Sequence, residues 1–217
     1  MTRSTRSLGL VATVLVSLGL LTACGSDSDP RTGASTVPDG LLSEQTVGGT
    51  AVGDAEKYLG YSAGTSAGSA DEQCVLDNAS LLVGASDDDA AAYERDGDGH
   101  PEIVGIAVMD TTSDAFDSAV ADLEEGLARA GCRQPPTIEA AAVDLGLDGT
   151  TAFSSVKGAG TDDQKSLLRS YTYVQVDGRD KLVLVSIQRT DGTQPSPDEL
   201  KKLTSAQVDR TTTALTG

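Results

Sequence analysis

Tryptophan is absent from this 217-residue chain, and the other large rings are scarce: two phenylalanines and five tyrosines. Such rings usually dominate core and interface energies, so here the core has to be built from Val, Leu, Ile and Ala. There is one histidine, His100, and the three cysteines do not cluster, which excludes a typical zinc site. Neither a G-x-x-x-x-G-K-[ST] phosphate loop nor a G-x-G-x-x-G turn after a strand is present, and no cofactor is called for. Basic residues are also in deficit, 16 Lys and Arg against 33 Asp and Glu, for a net charge of −17. That charge repels phosphate backbones and anionic headgroups, so nucleic acid and a polybasic membrane contact are discounted as partners. The acidity reads instead as solubility.

What is present is concentrated first at the N-terminus. Arg3 and Arg6 precede an apolar run over residues 8–21, which ends in Leu21-Thr22-Ala23-Cys24. The run is shorter than the ~20 residues a spanning helix needs, and small residues close it. This resembles the lipobox of a bacterial, actinobacterial-type lipoprotein. There the leader is cut before the cysteine, and the cysteine, here Cys24, is lipidated. The resemblance implies a signal peptide over 1–23, lipid attachment at Cys24, and a location on the extracytoplasmic face of the cell membrane. Loss of Arg3 and Arg6 with the leader takes the net charge to −19. Residues 24–40 are rich in Gly, Ser, Thr, Asp and Pro and read as a flexible tether. Its root-mean-square span is about 20 Å, so the domain over 41–217 is held close to the membrane. Two cysteines then remain, Cys74 and Cys132, in an oxidising compartment, and they allow a single pairing. A loop of that length stabilises by about 4 kcal/mol on the chain-entropy model; the alternative is two buried free thiols.

The folded part begins at Leu41-Leu42. Residues 52–59 read as a short helix, 60–70 as a Gly/Ser/Ala loop, 75–84 as a strand and 86–99 as an acidic loop. In 102–109 the apolar residues split between two faces, Val104, Ile106 and Val108 against Ile103, Gly105 and Ala107, as in a strand. A helix over 114–130 follows, with Phe116, Val120, Leu123, Leu127 and Ala130 in one stripe and Gly131 as its stop. The small Gly105 and Ala107 are expected to let this helix lie close to the sheet. Pro135-Pro136 opens a linker-like stretch to residue 150, and a short strand is expected over 151–156. Strands over 167–176 and 181–189 are joined by Asp177-Gly178-Arg179-Asp180, a hairpin signal. Leu182-Val183-Leu184-Val185 lacks polar alternation, which marks that strand as central. Ser196-Pro197-Asp198-Glu199 opens the last helix with an N-cap, a first-turn proline and a capping box; its Thr-rich end reads as frayed. The expectation is an α+β fold, an antiparallel sheet with two or three helices packed on one face and one disulfide.

Chemistry-bearing motifs are weak. Gly60-Tyr61-Ser62-Ala63-Gly64 and Gly64-Thr65-Ser66-Ala67-Gly68 both match G-x-S-x-G. That motif requires a strand before it and a helix after it, and here a helix-like segment precedes and more Gly and Ser follow. Asp96-Gly97-Asp98-Gly99, downstream of Asp87-Asp88-Asp89, resembles part of a calcium loop. However, His100, Pro101 and Ala107 stand where an EF-hand needs an oxygen ligand, a glycine and a glutamate. No catalytic residue and no metal ligand is nominated.

A further resemblance rests on several features taken together. Leu41-Leu42 runs on to Tyr58-Leu59-Gly60. Cys74 stands at a strand, and residues 103–109 lead into Ala115-Phe116 and a helix ending at Cys132. The Tyr173-Val174-Gln175-Val176 to Leu182-Val183-Leu184-Val185 hairpin precedes a final helix. These features are similar to the extracellular sensor domain of mycobacterial-type Ser/Thr kinases, which also occurs as free-standing lipoproteins. The resemblance implies an antiparallel sheet with helices and a cleft that takes a ligand. The functional expectation is a non-catalytic ligand-binding or sensor-like lipoprotein with an envelope ligand or protein as partner. The alternative is an envelope lipid or glycolipid carrier, which needs a large apolar cavity.

Overall fold

The structure, a computed structural model, describes residues 37–53, 55–59, 90–128, 138–157, 160 and 164–217. The lipobox, the two G-x-S-x-G matches, the strand expected over 75–84 and all three cysteines lie outside the described residues.

The elements run α1 (Glu44–Val47), β1 (Thr50–Val52), α2 (Ala55–Leu59), β2 (Ala90–Gly97), β3 (His100–Asp110), α3 (Ser113–Ala128), β4 (Ile138–Ala142), β5 (Thr150–Lys157), β6 (Lys165–Val176), β7 (Arg179–Arg189) and α4 (Pro197–Thr216). The seven strands form one antiparallel sheet in the order β1-β2-β3-β7-β6-β5-β4. The α+β class and the antiparallel sheet are as expected, and β7 stands at the centre of the sheet.

Two strands appear where the sequence reads as loop. Residues 90–97, inside the stretch read as acidic loop, form β2. Its first four residues, Ala90, Ala91, Ala92 and Tyr93, are buried, and its charged half alternates outward and inward. β2 pairs with β3 over eight residues, from Ala90 opposite Ala107 to Gly97 opposite His100. Long pairing of this kind overrides the weak strand preference of Ala, Asp and Glu. The turn is Asp98-Gly99, with φ of 53° and 82°, the same two-residue device as Asp177-Gly178 between β6 and β7, with φ of 51° and 75°. Residues 138–142, inside the expected linker, form the edge strand β4 on β5. The helix expected over 52–59 is shorter, because Thr50–Val52 pairs with β2 as β1.

The expected packing of helices on one face is corrected. Alternation along β3 and β7 sends Val104, Ile106, Val183, Val185 and Ile187 to one side, into a core with Leu41, Leu42, Val47, Leu200 and Leu203 from the N-terminal strap, α1 and α4. Ala107, Met109, Leu182 and Leu184 go to the other side, with Leu59 of α2 and Phe116 and Leu123 of α3. Helices therefore cover both faces. Six consecutive buried residues in β7, Leu182 to Ile187, require this, since a strand with one wet face alternates with polar residues.

α4 begins as expected, with the Ser196 hydroxyl accepting from the Glu199 amide. It does not fray early, and its Thr-rich end stays helical to Thr216. The reason lies in its buried face: Thr211 is buried and bonded to Gln207, and Thr204 is bonded to Ser170 of β6 at 2.7 Å.

Candidate functional site

Where α1, the β2–β3 turn and the first turns of α4 meet, they enclose a cleft of about 590 Å³. Its floor is set by strand register. Arg95 of β2 stands opposite Glu102 of β3, and Glu102 stands opposite Arg189 of β7. On three adjacent strands this puts two guanidinium groups on either side of one carboxylate. Arg95 Nε donates to Glu102 Oε1 at 2.7 Å, and Arg189 Nε donates to Oε2 at 2.9 Å. The side chains of Arg95, Glu102 and Arg189 are 7%, 1% and 5% exposed. Charged groups this deep need such partners, because desolvation of an ion costs several kcal/mol.

The remaining donors tie neighbouring elements together. Arg95 Nη1 donates to the Val47 carbonyl at the end of α1 at 2.7 Å, and to Glu199 of α4 at 3.0 Å. The Glu199 carboxylate, expected in a capping box, thus turns to Arg95. Arg189 Nη2 donates to the Gly97 carbonyl at 3.0 Å, and Nη1 to the Gln194 carbonyl at 3.1 Å. Gly97 has to be glycine, because a Cβ there would overlap the Glu102 carboxylate. The wall adds Asp96, Asp98, Asp198 and Lys202, so the site is polar throughout apart from Val47 and Ile187. An arrangement of this kind holds a polar group by charge and hydrogen bonds. Arg95 was hidden in the sequence because residues 86–99 read as a loop, whereas Arg189 closes the strand expected over 181–189 and only its partners were not visible. The signal was Arg95 at strand spacing from Tyr93 and Ala91.

His100, noted in the sequence as the sole histidine, opens β3 beside the cleft. Its Nδ1 lies 2.6 Å from Asp191 Oδ2. The Thr193 hydroxyl and amide donate to Asp191 Oδ1 at 2.7 and 3.0 Å. These bonds, the hydroxyl's foremost, followed by the contact with His100, bring the Asp191 carboxyl from 3.8 down to about 2. On the same face of the sheet, away from the cleft, the Tyr93 hydroxyl donates to the Leu42 carbonyl. Burial, with the Glu44 charge adding to it, pushes its pKa up to about 12. Asp96 and Asp98, the two acids of the calcium-like Asp96-Gly97-Asp98-Gly99 motif, fall at the close of β2 and in the turn. Among the described residues no group of three or more His, Cys, Asp or Glu side chains is placed to hold a metal ion.

A second, shallower hollow of about 480 Å³ lies beside the N-terminal strap, between Val37, Pro38 and Arg210. There α4 clips the strap. Gln207 accepts from the Leu42 amide and donates to the Gly40 carbonyl, each at 2.9 Å, and Arg210 donates to the Asp39 carbonyl.

No protein-family model matches the chain, and no curated protein does. One solved structure, described as the crystal structure of Ara h 8.0201, shares 14% identity over 58% of this chain, with a TM-score of 0.19. The chain spans 65% of that protein's length, and a likeness this slight carries no argument about fold or function.

Proposed function

We propose that this chain is an extracytoplasmic lipoprotein, anchored through Cys24, whose domain binds a polar envelope ligand in the Arg95–Glu102–Arg189 cleft without transforming it. The observation that carries the binding reading is the row of three buried charges at the base of a cleft of about 590 Å³, within the size range of small-molecule sites. The charges answer one another, which suits holding a ligand more than attacking it. A sheet with helices and a cleft also fits what the resemblance to kinase sensor domains implies. The anchor reading rests on Leu21-Thr22-Ala23-Cys24. Among the described residues no helix is long and apolar enough to cross a membrane. A carrier of lipid is less favoured: Leu200, Leu203, Val183 and Val185 fill the α4 face of the sheet, and the larger cleft is lined mostly by charged and polar residues.

The test is purification of the full-length chain from membranes, followed by mass spectrometry of what comes with it. A polar molecule retained by the wild type and lost in Gln45→Trp, which fills the cleft from its exposed rim, is the expected result. A long-chain lipid retained by both proteins makes the chain a carrier. In the same cells Cys24→Ala should lose acyl labelling and remain uncut; a variant cut and released like wild type removes the anchor.

A further inference from the structure

A second arginine environment lies on the opposite face of the sheet. Arg169 of β6 is 5% exposed, flanked in register by Phe153 of β5 and Ser186 of β7. Arg95 and Arg189 share a carboxylate, whereas among the described residues no carboxylate pairs with Arg169. Its Nη2 donates to the Leu59 carbonyl at the end of α2, its Nη1 makes a 3.4 Å contact with the Tyr171 hydroxyl, and its Nε is buried with no hydrogen-bond partner among the described residues. The chain has 33 carboxylates against 16 Lys and Arg, so this shortfall is not one of supply.

The unfilled position is chemically specific. The Nε and outer Nη hydrogens of a guanidinium point along one edge, the edge that grips planar carboxylates and phosphates through two parallel bonds. In Arg169 the Nη2 end of that edge meets a neutral carbonyl, and the Nε end has no partner among the described residues. A carbonyl carries only a partial charge, so among the described residues the guanidinium is a buried cation without a counter-ion, a state that costs heavily. α2, which supplies that carbonyl, is five residues long and seats Leu59 over Gly105 of β3.

The geometry points to an oxyanion-binding site at the Nε–Nη2 edge of Arg169, taking a carboxylate, phosphate or sulfate group. The site is on the sheet face away from the cleft and stands or falls separately from the function proposed for it. The bound oxygen pair satisfies Nε and shares Nη2 with the Leu59 carbonyl.

The full-length chain in detergent is titrated with sodium phosphate, sodium sulfate and sodium acetate, at constant ionic strength set with sodium chloride. The Arg169 Nε–H resonance is followed together with the melting temperature. A saturable shift of that resonance and a rise of several degrees in melting temperature are expected from at least one anion. Response to acetate alone identifies a planar carboxylate ligand, and response to phosphate and sulfate a tetrahedral one. Arg169→Lys keeps the charge and loses the fork, and should weaken the response by about tenfold or more. Arg169→Gln should abolish it; if that variant does not fold, the wild-type titration decides alone. An Nε–H resonance unmoved by all three anions overturns the proposal, as does a melting response that survives unchanged in Arg169→Lys.

Discussion

Gly97 and Glu102 approach each other across the β2–β3 hairpin so closely that the glycine's missing side chain is the space the carboxylate occupies. The contact joins a turn-forming strand end to the acid that bridges two buried arginines. Gly97→Ala therefore does more than add a methyl group, since it displaces Glu102 from Arg95 or Arg189. A loss on the order of 3 kcal/mol in unfolding free energy is expected, the scale of a broken buried ion pair. Gly53→Ala, where a Cβ meets nothing, should change stability by less than about 0.5 kcal/mol. Urea denaturation of the two variants beside wild type checks the difference.

Glu102→Gln leaves two guanidinium groups buried around a neutral amide and should cost about 3–5 kcal/mol. The triple replacement Arg95→Met, Glu102→Leu, Arg189→Met removes every charge together and should recover most of that loss. It should also lose the polar ligand proposed for the cleft. A triple variant that is stable and still retains that ligand would show the three charges to be structural alone.

The residues explain why part of this architecture is legible and part is not. Asp177-Gly178 announces its hairpin because apolar strands flank it on both sides. Asp98-Gly99 is the same turn, but on one side it follows Glu94, Arg95 and Asp96, whose charges hide the strand alternation. The inward member of that run, Arg95, is buried because Glu102 and Val47 answer it, and neither partner is visible in a local window. β4 is masked in another way: Ala140, Ala141 and Ala142 have little strand preference and become a strand only by pairing with β5. The run Leu182-Val183-Leu184-Val185 did carry the message that helices cover both faces. Reading it only as a central strand left half of that message unused.

Gly105 is a close-approach glycine, although the element that approaches is α2, where α3 was expected. A Cβ at Gly105 would lie 2.7 Å from Leu59 Cδ2 and 2.8 Å from Ser186 Oγ. Gly105→Ala should cost about 1–3 kcal/mol through overpacking. Leu59→Ala alone should also destabilise, by about 2–5 kcal/mol. The double variant should fall short of the sum of the two, because the second substitution removes the obstacle the first one meets. Additive losses would mean that α2 does not rest on β3.

Gln207 acts as a peptide group supplied by a helix: it accepts from the Leu42 amide and donates to the Gly40 carbonyl. Its substitution by Leu keeps the bulk but leaves the buried Leu42 amide without an acceptor. A loss of about 1–3 kcal/mol is expected, with faster amide exchange at Leu42 as the local sign. Arg210→Ala, which releases the exposed Asp39 carbonyl, should cost much less.

Acid should act on the latch between β3 and the loop after β7. The Asp191 carboxyl titrates near 2 in the folded chain against 3.8 for the ordinary group, so the folded state binds its proton less readily than the unfolded state does. Its contribution to stability is therefore complete above about pH 4 and is lost as pH falls through about 2. Asp191→Asn cannot titrate, and its stability should fall less steeply than wild type across that window. Thr193→Ala removes the hydroxyl that contributes most to the lowered value, and should bring the Asp191 titration back toward 3.8. Carboxyl chemical shifts followed by NMR from pH 5 to 2 read that value directly. An Asp191 titration unchanged by Thr193→Ala would mean that the hydroxyl does not set it.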